Sequence, residues 1–389
     1  MSTAAPTFRL ADRFSNVGFS EIVVIRNKIL AMKARGLQVY QFEGGEPFAP
    51  TPQVIKDACT KALAENKTRY APSSGIPELI EALTQKVRTR NRLPAEQAHI
   101  IVTVGGMQGL FAAFQALLNP SDDVLVFSPY WTPTIDLIAM SGGRSILVDT
   151  FKARSEGLKV SLEAALTART RVILLASPQN PTGVVWTPSE MAEIADFVCS
   201  HNLIVVSDEA YEDLVYEGQH VSIGSLPQMY ERTISCFTFS KSYSMTGWRI
   251  GYAVAAEPFI TGMKQAVLYS TNGVSTPTQH AAVKAITSCD DFIRENLPEY
   301  RRRRDLLVNG LNSLGLDCEL PAGAFYAFPS IAKYSSDSRE FAAYLLEKAS
   351  IATVPGVVFG PQGEAHLRFS YSVSIETIER GLEALSKVL

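Results

Sequence analysis

The sequence predicts an α/β protein: a large domain with a mixed, mostly parallel sheet flanked by helices, joined to a smaller α+β domain. Three observations carry this expectation. Short β-branched apolar runs alternate with amphipathic stretches from about residue 50 to 260. Several of these runs end abruptly in glycine or polar residues, as strands of open α/β sheets do. The 389 residues, 46% hydrophobic and 19% charged, are enough for two packed domains with sizeable cores.

In chain order the runs are HIIVTV (99–104), DVLVFSP (123–129), RVILLASP (171–178), LIVVSDE (203–209) and TISCFTFS (233–240). They are continuously apolar rather than alternating, which marks strands buried on both faces, the habit of parallel sheets covered by helices. Four of them lead into Gly105-Gly106, Pro129-Tyr130-Trp131, Gln179-Asn180-Pro181 and Asp208-Glu209-Ala210-Tyr211. Ligands of open α/β sheets collect beyond the carboxyl ends of strands, so a site is expected there. From about residue 290 a charged helix, FIRENLPEYRRRRDLLVNGLNSLG, precedes mixed short strands and helices. The expected division is a large domain over 45–285 and a small domain formed by 1–44 and 286–389. No repeat, low-complexity tract or long linker separates the two, so tight joining is expected. The arginines at 301–304 point in different directions on a helix and are expected to form a solvated face.

A net charge of -3 gives no electrostatic reason to expect nucleic acid or an acidic membrane surface as partner. Arg9, Asp12 and Arg13 stand where a signal peptide needs its apolar stretch, and no run approaches membrane-spanning length. Cys59, Cys199, Cys236, Cys289 and Cys318 are scattered and odd in number, read as reduced and mostly packed, hence a cytoplasmic protein. His99, His201, His220, His280 and His366 show no metal-ligand spacing and are expected to be structural or exposed. Small-molecule chemistry is the expectation that remains.

The segment TFSKSYSMTGWRIGYAV holds Lys241 among small hydroxyl residues, with Arg249 eight positions on. A lysine that attacks carbonyls needs a sheltered site favouring its neutral or imine form, and a neighbouring arginine holds an anion. Together they suit an aldehyde bearing a phosphate, although the pair alone is equally a surface lysine in a loop. Gly105-Gly106-Met107-Gln108-Gly109 opens a helix after HIIVTV, presenting bare backbone N–H groups and a helix N-terminus as a second phosphate handle. Asp208 ends an apparently buried strand, where an unpaired carboxylate is expensive and asks for a cation. A protonated pyridine nitrogen serves; a salt bridge to an arginine of the fold is the alternative.

The segments SPQNPTG, SDEAYEDLVYEG and SKSYSMTGWRIGY, in this order and separation, resemble the class I aminotransferases of pyridoxal 5'-phosphate (PLP) fold type I. The likeness runs from FEGGEPFAPTP and RYAPSSGIPELIEAL through PAGAFYAF to HLRFSYS, nearly the whole chain. The resemblance implies PLP held by Lys241 as a Schiff base, with Lys241 later moving the proton between substrate α-carbon and cofactor. It implies Asp208 on the pyridine nitrogen, Asn180 and Tyr211 on the ring hydroxyl oxygen, and Trp131 stacked on the ring. Gly105, Gly106, Met107, Thr238 and Arg249 are the implied phosphate cup, with Ser240 beside them. Tyr70 resembles the tyrosine that reaches a phosphate across a dimer interface, which implies a homodimer with shared sites. Arg368 is implied as the bidentate clamp for the substrate carboxylate, helped by the Gly45 backbone.

The implied reaction is ping-pong transfer of an amino group from an L-amino acid to a 2-oxo acid. Bacterial aspartate aminotransferases of this subgroup commonly carry a lysine after the paired glycines; here the residue is Met107, so a neutral or aromatic donor is expected. An arginine elsewhere, such as Arg26, is an alternative source of charge for an acidic substrate. The same scaffold also hosts β-lyases, decarboxylases, cyclising enzymes and oxidases, which remain the alternative. A PLP-sensing regulator is disfavoured because no extra basic N-terminal domain is present.

Overall fold

The computed structural model describes residues 8–14, 17–19 and 21–389; the parts of the expected small domain at 1–7, 15, 16 and 20 lie outside the described residues. Twelve strands are assigned among them: β1 (Tyr40–Gln41), β2 (Ile100–Thr103), β3 (Asp123–Ser128), β4 (Arg144–Asp149), β5 (Thr170–Ala176), β6 (Ile204–Asp208), β7 (Thr233–Thr238), β8 (Gly251–Val254), β9 (Tyr326–Ala327), β10 (Ile351–Ala352), β11 (Val354–Pro355) and β12 (Leu367–Ser370). Seven form one sheet in the order β2-β8-β7-β6-β5-β3-β4. All of its pairings are parallel except those of β8, which runs antiparallel to both β2 and β7.

The five apolar runs read from the sequence are β2, β3, β5, β6 and β7 of this sheet. Every residue of β2, β3 and β8 is buried, as expected for strands covered on both faces. Two strands escaped the sequence reading, for different reasons. β8 is only four residues long and follows directly on the Lys241 loop, so it has no room to show a period. β4 is an edge strand with only Val148 buried.

Helices close both faces. Gly105–Leu117 buries Gly109, Leu110, Ala113, Phe114 and Leu117 in a core shared with β2, β3, β5 and β7. Pro188–Ser200 packs over the opposite face and starts with a capping box: Thr187 Oγ1 accepts from the Glu190 amide at 3.2 Å, and a Glu190 carboxylate oxygen accepts from the Thr187 amide at 2.7 Å.

The C-terminal part begins with the 24-residue helix Asp290–Ser313 and contains the antiparallel sheet β11-β12-β9; β10 pairs in parallel with β1 near the start of the chain. Its core is continuous with residues from beyond the end of β6: Tyr211, Leu214 and Tyr216 pack with Tyr300, Phe325, Tyr326 and Phe369. The arginines at 301–304 are not a uniformly solvated face. Arg301 and Arg302 are exposed, but Arg303 covers the Phe48 ring at 3.7 Å, and Arg304 is buried, donating to the Pro321 carbonyl at 2.9 Å and pairing with Asp305 and Glu217. Phe48, Glu217 and Pro321 are remote in sequence, which is why the local pattern concealed these contacts.

Among the described residues no helix is long and apolar enough to cross a membrane. The five cysteines are unpaired.

Candidate active site

A cavity of about 750 Å³ opens at the carboxyl ends of β5, β6 and β7. It lies where the parallel strands release their chains into loops, and the first segments to reach it are those loops. Lys241, Asp208, Asn180, Tyr211, Thr238, Ser240, Arg249, Gly106, Met107, Trp131, Gly45 and Arg368 all line it. Two of the residues picked from sequence do not. Gly105 lies just behind the wall, and Tyr70 is 92% exposed on the outside of the chain.

Asp208 is the last residue of β6, and the sheet fixes its backbone between Ala176 of β5 and Cys236 of β7. Its carboxylate accepts the Ala210 amide at 3.2 Å. Burial, with Glu209 next to it, pushes the carboxyl up to about 6, against the pull of that amide and of Lys241.

Lys241 sits in the single-turn helix Phe239–Ser242, where Thr238 is the N-cap and accepts from the Ser240 amide at 3.2 Å. Its ammonium donates to the Gly45 carbonyl at 2.6 Å and lies 5.7 and 5.6 Å from the Tyr211 and Phe325 ring centres. Burial first, then the positive charges of Arg368 and Arg249, bring the amine down to about 8, against Glu46 and Asp208. At pH 7 about a tenth of such an amine is neutral, a few hundred times more than for an ordinary lysine.

Arg249 adopts a left-handed backbone (φ 52°), and its Nη1 donates to the Thr246 carbonyl at 2.8 Å. Gly105 makes room for it: φ is +72°, and a Cβ there would stand 2.6 Å from Arg249 Nη2. Gly251, where β8 begins, is equally constrained, since a Cβ would meet the Phe237 carbonyl oxygen at 2.6 Å and the Gly105–Gly106 backbone at 2.7–2.8 Å. These contacts bring the first turn of Gly105–Leu117 against the end of β7 and put the arginine at the helix N-terminus.

Arg368, central in the sheet β11-β12-β9, is 3% exposed. Nη1 donates to Asn180 Oδ1 at 3.1 Å and Nη2 to the Glu43 carbonyl at 2.7 Å, while the buried Nε has no partner. The guanidinium rests on the Tyr326 and Phe359 rings at 4.4 and 4.9 Å. Tyr326, in turn, shares a 2.9 Å hydrogen bond with the Tyr211 hydroxyl. Among the described residues, none of Lys241, Asp208, Arg249 and Arg368 is ion-paired to a side chain within 4 Å. The cavity is lined by four cations, Arg26 being the fourth, and three carboxylates, Asp208, Glu43 and Glu46; a set of unpaired charges of both signs suits a ligand that carries anionic groups and a positive one.

Several lining residues went unrecognised in the sequence, and Arg26, named there only as an alternative source of charge, joins them on the wall. Ile22 and Arg26 come from the helix Glu21–Ala34, Glu43 and Glu46 flank the paired glycines, and Ser370, Ser372 and Val373 follow Arg368. The only signal for Glu43 is a charge directly after the apolar Phe42; Ile22 carries no signal in its own neighbourhood.

The family described as aminotransferase class I and II matches residues 35–385. The aspartate/prephenate aminotransferase of Thermus thermophilus is 39% identical over 386 residues, covering 98% of both chains. Aromatic-amino-acid aminotransferase 2 of Thermococcus litoralis is 36% identical over 386 residues, again 98% of both. The solved aspartate aminotransferase from Thermus thermophilus with maleate superimposes with a TM-score of 0.94 at 38% identity, covering 98% of this chain and all of that one. With the cavity at the strand ends and likeness along almost its entire length, this chain belongs to the class I and II aminotransferases and is an enzyme that transfers amino groups.

Proposed function

We propose that the cavity holds PLP and that the enzyme moves the amino group of a neutral or aromatic L-amino acid to a 2-oxo acid. The observation that carries this is the placement of Lys241, Arg249, Arg368 and Asp208 around one cavity, none of them committed to an ion pair. A phosphate suits Arg249 and the N-terminus of Gly105–Leu117, a substrate carboxylate suits Arg368, and a protonated ring nitrogen suits Asp208. Bound PLP would supply the carbonyl that takes up the amino group and a ring that accepts electrons from the α-carbon, so donor and acceptor react in turn.

In this reading each protein group has a definite task. Lys241 holds the cofactor covalently and, once released by the substrate amine, takes the α-proton; its lowered pKa leaves enough neutral amine for both. Asp208 keeps a proton on the ring nitrogen. Asn180 and Tyr211 are the hydrogen-bond donors for the ring hydroxyl oxygen, and Trp131 packs on the ring face. Gly106, Met107, Thr238 and Ser240 complete the anion cup, with Gly105 acting by making room for Arg249. Arg368 and the Gly45 backbone orient the carboxylate. Arg368 Nε is unpartnered, which supports a reserved place for a carboxylate oxygen.

The exposed Met107 on the cavity wall, with Leu110 and Trp131 nearby, supports an apolar side-chain pocket. Arg26 also faces the cavity, a cation available to a dicarboxylic partner substrate. Tyr70 and Tyr269, 92% and 87% exposed, support a homodimer in which Tyr70 reaches the neighbouring site. A large domain at 45–285 and a small one from 1–44 and 286–389 would put the cavity at their junction. Unpaired cysteines support a cytoplasmic location.

The test is a visible absorbance scan of purified protein with PLP while single amino acids are added without any 2-oxo acid. Bleaching of the yellow band by neutral and aromatic amino acids ahead of aspartate is expected. A persistent coloured species, or release of ammonia or carbon dioxide, would replace transamination by another PLP reaction.

A further inference from the structure

Behind Asp208, away from the cavity, lies a buried polar network that the proposed reaction does not use. Glu209, the next residue along the chain, is 1% exposed, and one of its carboxylate oxygens accepts from His220 Nε2 at 2.8 Å and from the Ser222 hydroxyl. Ser222 Oγ accepts from Asn91 Nδ2 at 2.9 Å, and Asn91 Nδ2 also donates to Glu212 at 2.7 Å. Lys86 closes the far end, donating to Asn91 Oδ1 at 2.8 Å and pairing with Glu212 at 2.5 Å.

The network contains two carboxylates and one lysine, and the lysine is committed to Glu212. If His220 is neutral, Glu209 is an uncompensated buried anion directly beside Asp208 in the chain. That is costly in itself and also opposes ionisation of Asp208. His220 Nδ1 is buried without a partner in either protonation state, so hydrogen bonding does not choose between them. The charge count does.

We propose that His220 is a positioning residue: it carries the positive charge that offsets Glu209 and thereby lets Asp208 face the cavity as an anion. This inference rests on the role given to Asp208 above. The charged groups around the imidazole are Glu209 and Glu212 from the segment after β6 and Lys86 from the helix Pro77–Thr89; those around Asp208 are Glu209 and Lys241. Burial draws the imidazole down, but the bonded Glu209 carboxylate outweighs it, so His220 titrates above its usual range, while Glu209 stays below its own despite burial.

Two measurements on the full-length, PLP-loaded enzyme test this. The first is an NMR titration of the His220 imidazole in the unaltered protein, identified by eliminating the other four histidines through substitution. It should be protonated at pH 7, and a neutral imidazole there overturns the inference. The second is the PLP dissociation constant between pH 6 and 9 for the wild type, His220→Gln and Glu209→Gln/His220→Gln. The single variant should bind about fivefold more weakly at pH 6, about twofold at pH 7 and equally by pH 9, as for a rise of one pKa unit on Asp208 from about 6; the comparison that decides is the one at pH 6. Removing both charges should return affinity to within about twofold, because the anion requiring compensation is gone. A double variant as weak as the single one means that His220 only packs, and overturns the inference alone. If Asp208→Asn binds PLP as well as the wild type does, the role of Asp208 falls, and the inference falls with it.

Discussion

The floor and the rim of the cavity are made in opposite ways. Asp208 stands at the end of a central strand paired on both sides, and Lys241 follows the adjacent strand by three residues. These positions are fixed by buried ladders. The rim is assembled from separate pieces: Ile22 and Arg26 from one helix, residues 43–46 from a connection, Met107 from a helix start and Val373 after β12. The floor carries functions common to any amino donor, whereas the rim touches what differs between donors. Chemistry is therefore anchored in the most cooperative part of the fold and selectivity in the part most free to vary.

The largest effect that would separate floor from rim is loss of the floor amine. Lys241→Ala should retain the fold and non-covalent cofactor but lose at least about 10⁴-fold in kcat; substantial turnover in a steady-state assay would assign the proton transfer elsewhere. Asp208→Asn should cost about 10²–10³-fold in kcat with little change in KM, since the loss falls on the α-proton step. The same variant reports on stability with a definite sign. An acid raised from 3.8 to about 6 in the folded protein costs the native state stability as pH rises from about 4 to about 6, because over that range the unfolded chain releases the proton that the folded one keeps. Without PLP, Asp208→Asn should match the wild type in thermal unfolding near pH 4 and exceed it above pH 6; a constant difference would refute the raised carboxyl.

Between floor and rim stands Arg368. Arg368→Lys should keep the cofactor spectrum but raise KM for amino acids about 10- to 100-fold, because an ammonium cannot reproduce the two-pronged contact; an unchanged KM would show that the carboxylate binds elsewhere. The smallest effect belongs to the rim itself. Met107→Lys should move the aspartate-to-phenylalanine ratio of kcat/KM toward aspartate by about tenfold, or about 1.4 kcal/mol, and a ratio that does not move would transfer discrimination to Arg26.

This contrast also explains what was legible in the sequence. Lys241, Asp208 and Asn180 lie next to strand ends, and strands buried on both faces are conspicuous as apolar runs. Local context placed them at strand ends, and the resemblance to the class I aminotransferases gave them their expected roles. Arg26 and Glu43 reach the cavity only through tertiary assembly, and neither a period nor a spacing marks them. The antiparallel β8 was missed because four residues cannot display a pattern, and the buried Arg304 because its partners Glu217 and Pro321 lie in other segments. Position along a strand is local information; the company a side chain keeps is not.

One short stretch of chain is tied down by the cations themselves. Arg368 holds the carbonyl of Glu43, Lys241 holds that of Gly45, and Ser372 donates to that of Glu46 at 2.6 Å. Two of these three moorings are groups that a bound ligand would recruit. The groups that hold this stretch are therefore the same ones the proposed ligand would contact, so a substitution at Arg368 or Lys241 would loosen residues 43–46 together with the site.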